Sequence, residues 1–459
     1  MDAKRQVHKD QRSANVAVRV VRPVRTADTS AQRHSPHVRR SRGRGAANRD
    51  LRLDDLRAKA LAGERLTIAD GELLYHTPDL WGVLEVADAV RRKLHPDVAY
   101  YNINRHMNYS NVCALSCTFC EFYRKDGQAG AYTRDLDYVR EETRRAVEAG
   151  ATEMHVVGGL HPYLPWSYYP DLVRTMRDEA ARLGSDLHIK AFTAVEIVHL
   201  AKIAKQFKAS DRTAGIRWVL EQLKDAGLGS LPGGGAEVFD DRVHDEAFKG
   251  KIRSDVWLDV HRVAHELGLN TNATILYGHI EDRRERLVHM DMLRTAQDDA
   301  LARLGHARDA AGAVTLTRPG ADLPTPSMSA RGGYFQTITP LPFVPDGSAL
   351  ERLPGPSGIE NLRTLAIARL MLDNFPHVKA FWIMQTLKAA QLMLQCGADD
   401  LDGTVVWYDI TKVEGSGTHQ EVTARDLQRA IREAGFTPVE RDTLYRPVTR
   451  DGTAWSVGV

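Results

Sequence analysis

The stretch Asn108-Tyr-Ser-Asn-Val-Cys113-Ala-Leu-Ser-Cys117-Thr-Phe-Cys120 decides how the rest of this chain is understood. Three of the four cysteines in 459 residues fall inside it, in a C-x3-C-x2-C spacing. Thiolates this close can face one inorganic centre, but tetrahedral zinc needs a fourth Cys or His at ligand spacing, and His106 lies upstream of the set. A disulfide framework fails on number, because Cys396 stands alone in a distant apolar stretch and reads as a buried thiol. A 4Fe–4S cluster on Cys113, Cys117 and Cys120 fits. It leaves one iron without a protein ligand, and that open iron is a place for chemistry.

Working outward, Val98-Ala-Tyr-Tyr-Asn-Ile-Asn104 reads as a strand that feeds the cysteine loop. Helix and strand patterns then alternate. Helices are expected over 136–148, 169–183, 218–226, 255–267, 283–301, 359–374, 387–395 and 424–434, and strands over 153–158, 187–192, 230–231, 270–277, 334–341, 378–384 and 403–407. About eight strand–helix units close a (β/α)8 TIM-like barrel, whose chemistry sits where strands end. Upstream, residues 51–97 carry helical periodicity and form an N-terminal helical preface, so the barrel is expected over 98–459. Residues 303–333, rich in Gly, Pro and Ser, read as an inserted surface loop.

A hydrophobic fraction of 43% and a charged fraction of 27% are those of a soluble globular protein. No apolar run approaches bilayer length, which argues against a membrane span. The net charge of +2 hides an asymmetry: residues 1–50 hold 13 Lys and Arg against 4 Asp and Glu, leaving 49 against 56 elsewhere. That opening segment reads as a disordered basic tail. No aromatic residues interleave with its arginines, so nucleic acid is not an expected partner. Sparse cysteine use and an oxygen-sensitive cluster point to a reducing cytoplasm.

Candidate site residues gather at strand ends. Gly158-Gly159 ends the second strand and removes side chains where a ligand can lie on the backbone. His161 follows, either as a ligand-facing imidazole or as a cap for the next segment. Thr193 and Glu196 form a potential capping box, yet Glu196 also stands at the barrel mouth, where it can meet ribose hydroxyls. Gly233, Gly234 and Gly235 end the fourth strand, with Glu237 beside them. Asn270, Asn272 and Thr274 alternate on one face of an apolar strand and point inward, and His279 follows at its mouth. Arg124 and Lys125, just after the last cysteine, can hold a carboxylate or form a solvated rim. Gln336 and Thr339 are weaker candidates of the same type.

The cysteine spacing, with an aromatic just before Cys120, resembles the radical S-adenosylmethionine superfamily. Longer strings resemble the aminofutalosine (aminodeoxyfutalosine) synthase family within it: His155-Val-Val-Gly-Gly-Leu-His-Pro162, Lys190-Ala-Phe-Thr-Ala-Val-Glu-Ile197, Leu231-Pro-Gly-Gly-Gly-Ala-Glu237, Thr271-Asn-Ala-Thr-Ile-Leu-Tyr-Gly-His279 and Pro340-Leu-Pro-Phe343. The resemblance runs from about residue 51 to 450, with 303–333 as a departure. It implies a 4Fe–4S cluster and S-adenosylmethionine, consumed as co-substrate, with Gly158, Gly159, Glu196, Gly233 and Gly234 as cofactor contacts. The implied reaction adds the 5′-deoxyadenosyl radical to the vinyl carbon of 3-(1-carboxyvinyloxy)benzoate. Loss of a carboxyl group then gives 6-amino-6-deoxyfutalosine on the futalosine route to menaquinone. Arg124, His161, Asn272 and His279 are candidates for the substrate's carboxylates. An external electron donor of flavodoxin or ferredoxin type is implied as a partner. A dehypoxanthine futalosine cyclase or an FO-synthase-like enzyme is the alternative, and a non-catalytic cluster sensor a remote one.

Overall fold

The computed structural model describes residues 49–325, 332–405 and 421–458. The basic tail expected over 1–50 therefore lies, up to residue 48, outside the described residues. Three helices come first: α1 (Arg52–Ala62), α2 (Ile68–His76) and α3 (Leu80–Leu94). Thr67 and Asp70 make a capping box at α2, and the Asp79 carboxylate accepts the Gly82 N–H at α3, so orphan amides are satisfied. Leu53, Leu56 and Ala60 on α1 and Val83, Ala87 and Val90 on α3 are buried, which makes the preface part of the main core.

Next come β1 (Val98–Asn102), β2 (Asn104–Asn108), α4 (Leu136–Glu148), β3 (Glu153–Val157), α5 (Tyr168–Arg182), β4 (His188–Ala191), α6 (Ala194–Ile203) and α7 (Arg212–Ala226). The chain continues through β5 (Ser230–Leu231), α8 (Asp241–Ala247), α9 (Ser254–Glu266), β6 (Asn270–Tyr277), α10 (Arg283–Arg303), β7 (Phe335–Pro342) and α11 (Gly358–Met371). It closes with β8 (His377–Val378), α12 (Trp382–Gln385), α13 (Leu387–Met393), β9 (Asp400–Gly403), α14 (Ala424–Glu433) and β10 to β12 (Thr437–Glu440, Val448–Asp451, Ala454–Val457). Strands β2 to β8 form one curled, wholly parallel sheet in sequence order. Parallel neighbours need helical crossovers, so the loops after all seven strands open on one side.

The barrel is of the expected class, with particulars the sequence pattern did not show. The run 98–104 is two strands, because β1 leaves the barrel to pair with β9 and β10 in a separate parallel sheet. In turn, β9 reaches β8 through the Lys379–Asp400 bridge and β1 through Asn102–Gly403, and so sits beside the open edge of the sheet. The strand expected over 378–384 is short, since Trp382–Gln385 is helical and Trp382 Nε1 donates to Gly403 O at 2.8 Å. A short apolar run fits a buried strand or a buried helix equally well. The strand expected over 403–407 lies earlier, at 400–403, and residues 406–420 are outside the described residues.

The stretch 303–333 is not simply a surface loop. Ala313 to Thr317 are buried, Val314 N–H donates to Asp298 Oδ1 at 2.9 Å, and Leu316 N–H donates to Asp373 O at 2.9 Å. Arg65 from the preface holds both carboxylates, at 2.6 Å and 2.9 Å. Asp373 lies four residues before β8, so this segment covers the base of the barrel, opposite the cysteine loop. Residues 326–331 of it are not described. No helix among the described residues is long and apolar enough to cross a membrane.

Candidate active site

The cysteine loop leaves β2 at the open side of the barrel and is held by its own backbone. Cys113 N–H donates to Arg124 O at 3.0 Å, Arg124 N–H to Asn111 O at 2.8 Å, and Ala114 N–H to Leu160 O at 2.9 Å. The Asn111 side chain pins the far end of the loop through Gly130 O and Tyr132 N–H. Lys125 Nζ caps the carbonyls of Cys113, Ala114 and Leu115 at 2.8–3.2 Å. All three thiols are free and line one cavity of about 270 Å³. Burial pushes the Cys117 thiol up to about 11, against the opposing pull of the Lys251 ammonium, and raises Cys120 as well.

The same cavity is lined by Gly158, Gly159, Thr193, Glu196, Gly234 and Gly235 from the ends of β3, β4 and β5. The glycines let backbones approach. A Cβ on Gly159 would stand 2.3 Å from Val112 O, and one on Gly158 would enter the Tyr109 ring at 2.6 Å. Thus this pair is required first by the packing of the cysteine loop on β3. Gly233 is pressed equally hard, at 2.5 Å, on the Ala273 backbone, and its carbonyl accepts the Thr274 hydroxyl at 2.7 Å.

Several expected site residues are occupied elsewhere. Glu196 accepts from Tyr109 OH (2.8 Å), Gly158 N–H (3.0 Å), Thr193 N–H (2.8 Å) and Thr193 Oγ1 (2.8 Å). Its carboxylate stitches β2, β3 and α6 together, which is the capping role, and it also stands on the cavity wall; burial raises its pKa to about 7. Arg124 donates to Glu121 O and Tyr123 O and pairs with Glu121 at 3.2 Å, on the outer side of the loop. His161 Nδ1 accepts the amides of Tyr163 and Leu164 at 3.1 Å, so it caps the next segment. His279 is turned into its own loop, against Leu276 O at 3.1 Å and Glu281 at 3.3 Å. Neither histidine lines the cavity: backbone amides claim His161 Nδ1, and a backbone carbonyl takes His279 Nε2. Asn272 and Thr274 do face the barrel interior, where they line a deeper chamber.

Lys251, between α8 and α9, was missed by the sequence pattern. It lines the cavity, forms an ion pair with Glu237, and its Nζ lies 4.9 Å from the Phe119 ring centre. A lysine in the turn-like Gly250-Lys251-Ile252-Arg253 reads as solvated, and only the fold brings it beside the cysteines. Deeper ion pairs were also hidden: Lys190–Glu153 at 2.7 Å and Lys379–Asp402 at 2.6 Å. Lys190 carried a faint signal, since a lysine inside an otherwise apolar parallel strand is costly unless paired.

The donor set fits an iron–sulfur cluster. Three free thiols face one cavity, Leu115 N–H donates to Cys113 Sγ at 3.4 Å, and a cation stands near the sulfurs. Among the described residues no fourth cysteine lies there, and His106 is turned into the barrel against His155.

Comparison with known proteins agrees. Residues 107–293 match the radical SAM superfamily, and residues 332–452 match the CofH/MqnC C-terminal region. A crystal structure of methylornithine synthase shares the fold at a TM-score of 0.60 over 83% of this chain and 97% of that one, at 16% identity. The chain is therefore a radical SAM enzyme, of a class that implies a 4Fe–4S cluster and S-adenosylmethionine. It is 40% identical to the aminodeoxyfutalosine synthase of Thermus thermophilus, covering 87% of this chain and 97% of that protein. It is also 40% identical to the same enzyme of Streptomyces coelicolor, covering 85% and 92%. The FO synthase of Mycobacterium tuberculosis is 32% identical over 83% of this chain but only 40% of its own length. The chain belongs to the aminodeoxyfutalosine synthase family.

Proposed function

We propose that this enzyme joins the 5′-deoxyadenosyl group to 3-(1-carboxyvinyloxy)benzoate, with loss of one carboxyl group, to give 6-amino-6-deoxyfutalosine. The observation that carries this reading is three thiols and four glycines of strand ends converging on one cavity, in a chain so similar to enzymes of that name. Cys113, Cys117 and Cys120 would hold the cluster, which with S-adenosylmethionine supplies the radical. Gly158, Gly159 and Gly234 give the cofactor a wall without side chains, with Gly233 next to it on the deeper chamber. The apolar lining, including Leu115, Phe119, Leu341, Phe343 and Met384, excludes water from a reactive carbon centre. Lys251, already neutralised by Glu237, is the cation beside the sulfurs.

A reduced one-electron carrier of flavodoxin or ferredoxin type is the partner this chemistry needs, and a reducing cytoplasm is the compartment that suits it. The helical preface (51–97) and the barrel (98–459) are read as one folding unit. Anaerobic turnover of the reconstituted protein with S-adenosylmethionine, dithionite and the vinyl ether, followed by mass spectrometry, tests the reading. The nucleoside adduct is expected. Free 5′-deoxyadenosine with the vinyl ether untouched would overturn this substrate and favour a cyclase or FO-synthase-like reaction.

A further inference from the structure

Beneath the cysteine cavity the barrel encloses a second chamber of about 120 Å³. The two are continuous: Val157, Thr193, Gly234, Thr274 and Leu341 line both. Its floor carries His106, His155, Lys190, Asn272, Lys379 and Asp402, while Val157, Leu341 and Phe381 supply apolar walls.

The floor is polar in a particular way. Each ammonium has one carboxylate partner, Glu153 for Lys190 and Asp402 for Lys379, and a paired ammonium retains further N–H donors. Three other groups on the chamber, the Asn272 amide, the His155 ring and the Thr339 hydroxyl, make no hydrogen bond among the described residues. His155 is only packed against His106, 4.4 Å between ring centres. Asn272 and Thr339 are buried and His155 half-buried, all on the chamber wall. Three such groups converging beside two lysines point to an acceptor that belongs there. An aromatic ring suits the apolar walls, and a single carboxylate suits the donors.

We propose that this inner chamber binds the aryl carboxylate end of the acceptor and directs the opposite end toward the cysteines. The inference rests on the substrate reading above and adds an orientation to it. A planar arene slides between Val157, Leu341 and Phe381, and its carboxylate accepts from Asn272, Thr339 and the spare donors of Lys190 and Lys379. The unsaturated ether then stands in the upper cavity, beside the glycine wall. Burial and its cationic neighbours hold His155 well below the usual histidine range, so it enters as a neutral hydrogen-bonding group.

The test uses benzoate and its neutral isostere benzamide as probes, titrated calorimetrically into the cluster-loaded, S-adenosylmethionine-bound protein. Benzoate is expected to bind and benzamide to bind more weakly. Asn272→Ala and Thr339→Val, at side chains that hold no other partner, should each weaken benzoate by about tenfold, the worth of one charge-assisted hydrogen bond. Asn272→Asp should abolish it by adding a facing negative charge. S-adenosylmethionine affinity and the unfolding midpoint serve as readouts that these changes leave unmoved. Benzoate and benzamide binding alike, or benzoate binding unchanged in all three variants, overturns the inference. Benzoate behaving as expected while the vinyl ether is never converted keeps the chamber and sinks the substrate reading. Normal conversion with a KM untouched by Asn272→Ala does the reverse.

Discussion

The two chambers of this barrel are built by opposite means. The upper cavity is made by leaving side chains out: glycines at two strand ends bring backbone against backbone, and the polar groups near them are satisfied within the protein. The lower chamber is made by putting charge in, with lysine and carboxylate paired across neighbouring strands and several polar groups left facing space. A wall without side chains suits a ligand that is the same in every radical SAM enzyme. A floor of individual side chains suits the ligand that differs between them. Specificity should then be sought below, and cofactor retention above.

The sharpest way to break this contrast lies in the upper cavity. Cys117→Ala is expected to lose the iron–sulfur absorbance and to lower adduct formation by at least about a thousandfold, because the radical chemistry belongs to the cluster and its co-substrate. Retained absorbance would mean that the triad is not the cluster's holder. In the floor, Lys379→Met should destabilise the fold by about 2–3 kcal/mol in urea unfolding, since it removes the nearer of the two cations on the buried Asp402 carboxylate and leaves only Arg441, at 3.8 Å. The double variant Lys379→Met, Asp402→Leu should recover most of that loss, and a double variant as unstable as the single one would contradict the pairing.

Gly159→Ala sharpens the comparison at the upper wall. Its Cβ meets the backbone of Val112, which no rotamer change can relieve, so about 1–3 kcal/mol of stability should go, with slower cluster reconstitution. A gentler probe is Glu196, whose pKa of about 7 lies above the ordinary 4.5. The folded state keeps a proton there that the unfolded chain has released. Stability from this group is therefore present below about 4.5 and is lost as pH rises through about 7. Urea unfolding across that interval should slope downward in the wild type and flatten in Glu196→Gln. The smallest effect belongs to an exposed pair on α4, Arg140–Asp137, where Arg140→Ala should change stability by less than about 0.5 kcal/mol and leave turnover alone.

Much of this was legible in the residues alone. The cysteine spacing, the glycine pairs and the alternation of apolar periods determined a parallel barrel with a cluster loop at one strand end. Chemistry confined to neighbouring residues survives in sequence, because a loop of eight residues cannot place its thiols far apart. The capping box of Thr193 and Glu196 was equally readable, being four residues long. What the sequence left open was which of two roles a polar residue near the mouth would take. His161, His279 and Arg124 all turned to their own backbones, because an adjacent amide or carbonyl is a nearer partner than a ligand in the barrel. Tertiary structure alone decided the rest. Lys251 reaches the sulfurs only when the α8–α9 turn folds over the loop, and Lys379 meets Asp402 only when β8 and β9 lie together. Those partners are distant in sequence, and a buried charge declares its function only through what the fold sets opposite it.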